Sequence, residues 1–433
     1  MGIRDFVMAQ PLFDAHEHLV SIPEAARYKW SLADLSGYAL ADLESVAGPR
    51  RPTDPPPVAA DSPEYPAWYF SQWARTRNTA YCRAVERASR DLFGVEWRLE
   101  NLPALRRKIE ELILPDVPRW YAETLSKNAG IAWAIKDNIC LPQEAADGLY
   151  PPCVRFAHRD QEMLLLRNRE VVARRERQWG RSIHTLDQLV AAWMESISAC
   201  LATGKVTCFK IGVAYYRSLE FANATHADAE RAFNRLMTLE PGPINDYSEL
   251  LLRQPCCGGE ELLPLHDYLT HAYIRRATEE SKPIQIHTGY LASNWLDLRN
   301  INPIQLVPLF TRYRGARFDL FHSGWPYQEV MATLGKHYPN VWVNMCWSWA
   351  MAASSMERAL DLFLDAVPYH KIFAFGADTM TPFAAYGYAM QAREGIARVL
   401  EARIVRGDMD EPFARDVARR IMLDNGVEFH GLK

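Results

Sequence analysis

The sequence predicts an α/β protein of the (β/α)8, or TIM-barrel, class, and three observations carry that prediction. Eight apolar runs of strand length recur along the 433 residues, each ending in polar or small residues. Longer segments of helical period follow them, two of the later runs end at histidine, and an aspartate follows the last. Eight parallel strands with crossover helices most economically close into a barrel, read here as one unit over residues 1–433.

The first run is Leu12 to Ala15. Ile131 to Ile135 and Pro152 to Phe156 are the second and third. The fourth, Val206 to Ile211, follows a helical stretch from about Leu186 to Leu201 closed by Gly204. Ile284 to His287 comes after the Lys282-Pro283 break, and Arg317 to His322 is the sixth. Val341 to Met345 and Ile372 to Gly376 complete the set, with helices expected over Tyr327 to His337 and Met356 to Ala366.

Residues 19 to about 130 break the rhythm, because they far exceed a normal connection. Gly48 to Pro66 holds seven prolines and reads as extended loop. Phe70, Trp73, Ala74, Tyr81, Val85, Ala88 and Leu92 then repeat at helical spacing, with Gly94 placed as a C-cap. This is a large helical insertion after the first strand, and barrel topology sets such a segment over the catalytic face as a lid or an interface.

Composition excludes several classes. A net charge of −4 without a Lys/Arg block argues against nucleic acid as a partner. No run approaches the ~20 apolar residues of a membrane span, and MGIRDFVMAQPLFD lacks a signal-peptide core. The eight cysteines form no CxxC and no disulfide framework, and the vicinal Cys256-Cys257 pair reads as an ordinary loop feature. A soluble, cytoplasmic protein is expected, and the aromatic insertion points to a homo-oligomer.

His16 and His18 stand at i and i+2 on the first strand, so both imidazoles face one side and can meet one ion. His287 and His322 end the fifth and sixth runs, Asp378 follows the eighth, and Lys210 lies in the fourth. Barrel sites assemble at these strand ends, and histidines with a carboxylate suit zinc, or manganese, with positions left for water and substrate. Each residue alone has a structural explanation; their joint placement points to a metal site.

The order HxH, Lys, His, His, Asp resembles the amidohydrolase superfamily. Gln285 to Gly289, Asp297 to Pro303, His322 to Tyr327 and Ala418 to Gly426 resemble its "amidohydrolase 2" branch, in particular the amidohydrolase-like domain fused to some glutamine-synthetase-like proteins. The long aromatic insertion is similar instead to that of uronate isomerases. The resemblance implies that His16, His18, His287 and Asp378 are metal-site residues. It places Lys210 where binuclear members carry a carboxylated lysine bridging two ions, His322 then holding the second. In mononuclear members the latter histidine polarises substrate. One or two divalent ions per chain are therefore expected, with the branch favouring one. Asp378 and His322 are the catalytic candidates.

Metal-dependent hydrolysis of an amide, ester or lactone in a small carboxylate-bearing substrate is the implied activity. Uronate-type isomerisation and decarboxylation stand as alternatives on the same scaffold, and a regulatory barrel without turnover as a third. Tyr215, Arg217, Arg299 and Trp325 are the expected substrate contacts: the arginines offer forks for a carboxylate, while Trp325, Trp347 and Trp349 follow strands six and seven as aromatic walls.

Overall fold

The computed structural model describes residues 2–49, 57–239 and 259–433. Cys256, Cys257 and part of the proline-rich stretch lie outside them. Eight strands pair in parallel in the order β1 to β8: Leu12–Glu17, Ile131–Ile139, Val154–His158, Val206–Ile211, Ile284–Ile286, Phe318–Leu320, Val341–Asn344 and Ile372–Phe373. Between β8 and β1 the barrel closes through single backbone bonds: Ala15 N–H donates to the Phe375 carbonyl and Asp378 N–H to that of His16, at 3.2 and 2.8 Å. The chain is a (β/α)8 barrel.

Alternation along the strands splits the side chains between two environments. Phe13, Ala15, Ile135, Ala157 and Cys208 pack together as a separate buried cluster. The C-terminal helix Asn425–His430 closes on this cluster, and Gly426 lies so near the Phe13 ring that a Cβ there would meet it at 2.1 Å. His430 stacks at 5.1 Å from Phe13 and bonds Thr207 Oγ1 at 3.2 Å.

Burial pushes the His430 imidazole down to about 3, with Arg317 and Lys282 adding repulsion. It is neutral when folded and titrates near 6.5 when unfolded, so its contribution is complete above 6.5 and is lost as pH falls toward 3. Relative to a His430→Phe variant, the wild-type protein should lose roughly 2 kcal/mol of unfolding free energy between pH 7 and pH 5. Urea titrations at the two pH values read this; parallel pH dependence in both proteins would contradict it.

The connection from β1 to β2 is helical. Tyr65–Thr76 and Ala80–Ala88 form where one continuous helix is expected; the helix breaks at Arg77–Thr79 because Thr79 caps a new N-terminus, its hydroxyl accepting from Cys82 N–H. Gly94 ends the segment in a left-handed conformation. Helix Ala80–Ala88 presses on helix Pro382–Arg406 at Gly387, where a Cβ would stand 2.4 Å from the Ala84 carbonyl. Arg87 pairs with Glu394 at 2.7 Å across the same contact. The helix after β7 runs Ser348–Ala366, eight residues longer at its start than expected, with its kink at Ala352. Among the described residues, no helix is long and apolar enough to cross a membrane.

Candidate metal centre

β1 delivers His16, and His18 follows directly as the chain leaves the strand. Their rings are 5.0 Å apart and perpendicular. His18 is fixed by its N–H donating to the Thr379 carbonyl, so β1 and the chain after β8 position each other. Asp378 turns its Oδ1 to His18 Nε2 at 3.2 Å and to His16 Nε2 at 3.7 Å. Its Oδ2 lies 3.6 Å from His322 Nε2.

Two further carboxylates on β1 hold this arrangement. Glu17 accepts from Thr379 N–H at 2.7 Å, while Asp14 accepts from Ala377 N–H at 3.1 Å and His16 N–H at 3.2 Å. Burial raises both, Asp14 to about 7. Across the barrel, Asn344 Nδ2 donates to Asp319 and its Oδ1 accepts from Cys346 N–H, at 3.0 and 2.8 Å.

His287 and His322 form a second set. His322 Nδ1 stands 2.9 Å from the Cys346 carbonyl and His287 Nε2 3.0 Å from that of Tyr290. A carbonyl only accepts, so each of those nitrogens carries the hydrogen, and the other nitrogen of each ring presents a lone pair. The two lone-pair atoms, His322 Nε2 and His287 Nδ1, face one another at 3.1 Å. Burial holds both rings neutral: His322 is lowered to about 4, and His287 lies well below its usual range. Two facing lone pairs repel unless a cation lies between or beside them.

The donor set fits a divalent ion on this ground and on spacing, since donors about 2.0–2.1 Å from one ion stand roughly 3–3.5 Å apart. Burial, reinforced by Lys210, also keeps His16 neutral. Burial would raise Asp378, but it lies below the ordinary carboxylate range, its ionised form accepting a hydrogen bond from His18 Nε2 at 3.2 Å. Neutral imidazoles and an ionised carboxylate are the states in which these groups ligate metal. Donor atoms of His16, His18 and Asp378 fall within 4.8 Å of one another, as do those of His322, Cys346 and Asp378. Asp378 thus belongs to both groups.

Backbone strain marks the same strand ends. His322, Ser323, Trp347 and Asp378 all adopt positive φ, between 53° and 61°, each at a cost of order 1–3 kcal/mol. Gly289 is required at its position for a related reason. Its φ is +72°, and a Cβ would stand 2.8 Å from the Gly324 and Trp325 backbone, so the turns carrying His287 and His322 touch.

Lys210 is buried beside this cluster with Nζ 3.4 Å from the Phe321 ring centre and without a hydrogen-bond partner among the described residues. Burial lowers it to about 8, against the pull of Asp137 and Asp378. Tyr215 lies with its ring 4.7 Å from His287, and Trp325 packs 5.2 Å from Tyr290.

The two arginines each close on a carboxylate of the chain. Arg299 is 90% exposed and closes on Asp297 two residues away, at 2.6 Å. Arg217 is buried, but its guanidinium pairs with Asp267 on helix Leu263–Glu279 at 2.7 Å. Neither joins the histidines. Trp349 is structural too, donating to the Ala374 carbonyl at 2.8 Å with its ring against Gly395. The donor nitrogen of His322 is committed to the Cys346 carbonyl, and its free nitrogen offers a lone pair.

Sequence reasoning misses Asp137, Arg159 and Cys346. Asp137 Oδ2 lies 3.6 Å from His16 Nε2 and 2.6 Å from Arg159 Nη1. Burial would raise Asp137, but Arg159 and His18 keep it low. The available signal was the polar sequence Lys136-Asp137, which extends β2 beyond its apolar run.

Comparison with known proteins bears on the fold and on the C-terminal part of the sequence. The sequence model of a family described as Amidohydrolase matches residues 242–432. Protein fluG of Emericella nidulans is 25% identical over 248 residues, 54% of this chain, and the chain spans 27% of that protein's length. Among solved structures, uronate isomerase of Thermotoga maritima superposes with a TM-score of 0.77 at 12% identity, covering 99% of this chain and 96% of that one. Glucuronate isomerase of Caulobacter crescentus gives 0.74 at 15% identity, covering 99% and 93%. At these identities the superpositions speak to the fold, while the family match includes the strands that supply His287, His322 and Asp378. Over residues 242–432 the chain is similar to the Amidohydrolase family, and its barrel has the fold of the uronate isomerases.

Proposed function

We propose that the protein is a metal-dependent hydrolase that cleaves an amide, ester or lactone bond in a small substrate. The observation that carries this reading is the Asp378 carboxylate set between two donor groups, with His16 and His18 on one side and His322 on the other. A divalent ion bound there supplies Lewis acidity, lowering the pKa of water and drawing electron density from a carbonyl oxygen; zinc suits imidazole and carboxylate donors.

Asp378 takes the proton of the attacking water and passes it to the leaving group. Its low proton affinity makes the second transfer easy. Asp137, kept ionised by Arg159, steadies His16. His287 and His322 act as donors to the metal, each held in orientation by a backbone carbonyl. Lys210 suits the bridging role that the family resemblance implies: at about 8, roughly a tenth of the amine is neutral at pH 7, the form that adds carbon dioxide.

Isomerisation of a uronate is the second reading, favoured by superposition over nearly the whole of both chains, insertion included. Metal-loaded protein assayed in ¹⁸O-water separates the two. Hydrolysis places ¹⁸O in the product acid. Interconversion of glucuronate and its ketose, with no turnover of esters, amides or lactones, would replace the hydrolase with the isomerase.

A further inference from the structure

The segments that follow strands β5 to β8, together with the β1–β2 insertion, bring large aromatic side chains into one cluster that reaches His322 through Trp347. Tyr290 follows β5, Trp325 follows β6 and Trp347 follows β7; Tyr388 lies on the helix after β8, while Tyr38 and Tyr81 come from the insertion. The Trp347 ring meets His322 edge-on at 5.3 Å. Tyr38 packs on Trp347 at 4.8 Å, Tyr290 at 5.8 Å and Tyr81 at 6.1 Å. Trp325 continues the wall from Tyr290. Tyr38, Tyr290 and Trp325 are half-buried and form its open rim, whereas Trp347, Tyr81 and Tyr388 are buried behind them.

We infer that this box holds the planar aromatic ring of an oxygen-substituted aryl acid, ester or amide, with its carbonyl end turned toward Asp378. The inference rests on reading the histidine cluster as the turnover site and specifies the substrate class there. Tyr38 and Tyr290 are tilted 49° and 42° to Trp347, and Trp325 is tilted 56° to Tyr290. A flat ring set against the half-buried rim of Tyr38, Tyr290 and Trp325 meets some of these tilted rings by face and others by edge, the arrangements that aromatic quadrupoles favour.

A second, independent observation concerns polar atoms. The hydroxyls of Tyr81 and Tyr388 and Nε1 of Trp347 are buried without a hydrogen-bond partner among the described residues. The Tyr81 ring lies 6.3 Å from that of Tyr388 and 6.1 Å from that of Trp347, so the three groups belong to one aromatic cluster. An oxygen substituent on the ring meets that need.

The test is binding to metal-loaded protein, read by calorimetry and tryptophan fluorescence. Benzoate, cyclohexanecarboxylate and glucuronate share one carboxylate and differ in the body that carries it. Benzoate should bind about tenfold tighter than cyclohexanecarboxylate, the advantage of two or more aromatic contacts. It should also outbind glucuronate, and a Tyr38→Leu, Trp325→Leu double variant with unchanged metal content should reduce the advantage to about twofold or less. Equal affinities, tighter binding of glucuronate, or an advantage that survives the double variant would overturn the inference. If the variant does not fold, the wild-type comparison decides alone. A benzoate preference without ester or amide hydrolysis leaves the ring site standing and removes the hydrolase; hydrolysis without ring preference does the reverse.

Discussion

Replacing His16 and His18 together with alanine is expected to remove at least one bound ion and to lower kcat by about a thousandfold or more, the scale of losing metal-supplied charge stabilisation. Both rings lie at the mouth of the barrel, and the backbone bonds that close β1 on the chain after β8, His18 N–H to Thr379 and Asp378 N–H to His16, survive the truncation. The variant should therefore keep its far-UV circular dichroism while losing the thermal stabilisation that added metal gives the wild type. Elemental analysis and melting curves with and without metal check both halves. Full metal occupancy in the double variant would place the ion elsewhere in the barrel.

Asp378→Asn should separate metal binding from chemistry. Asparagine matches aspartate in size and tolerates positive φ, so the strained conformation at +53° is preserved. The amide cannot take a proton, so kcat should fall about 10²- to 10⁴-fold, the usual contribution of a positioned general base. His16, His18, His287 and His322 remain, so part of the metal should stay bound. A kcat within about tenfold of wild type would take the proton-transfer role away from Asp378.

The barrel was legible because its strands are apolar runs bounded by turn residues, and His16, His18, His287, His322 and Asp378 were legible because they punctuate those runs. Asp137 and Arg159 escaped notice because β2 and β3 continue past their apolar stretches, and polar residues inside a barrel mouth read as loop. The pairing of Arg299 was within reach, since its partner Asp297 is two residues away. Arg217 was not, because Asp267 meets it only through the packing of a distant helix. The tautomer of His322 depends on the Cys346 carbonyl, and the joining of Tyr38 to Trp347 depends on how the insertion folds back. Both are long-range facts that periodicity does not carry.

The most direct measurement is the number of divalent ions held per chain by the wild-type protein after reconstitution and exchange into metal-free buffer. With Asp378 common to two donor groups, about two ions are expected, and His16→Ala, His18→Ala should remove at least one. A single ion would leave His287 and His322 without one of their own and bring the isomerase forward. No specifically bound metal, with activity indifferent to chelators and to the double variant, would contradict the metal centre itself.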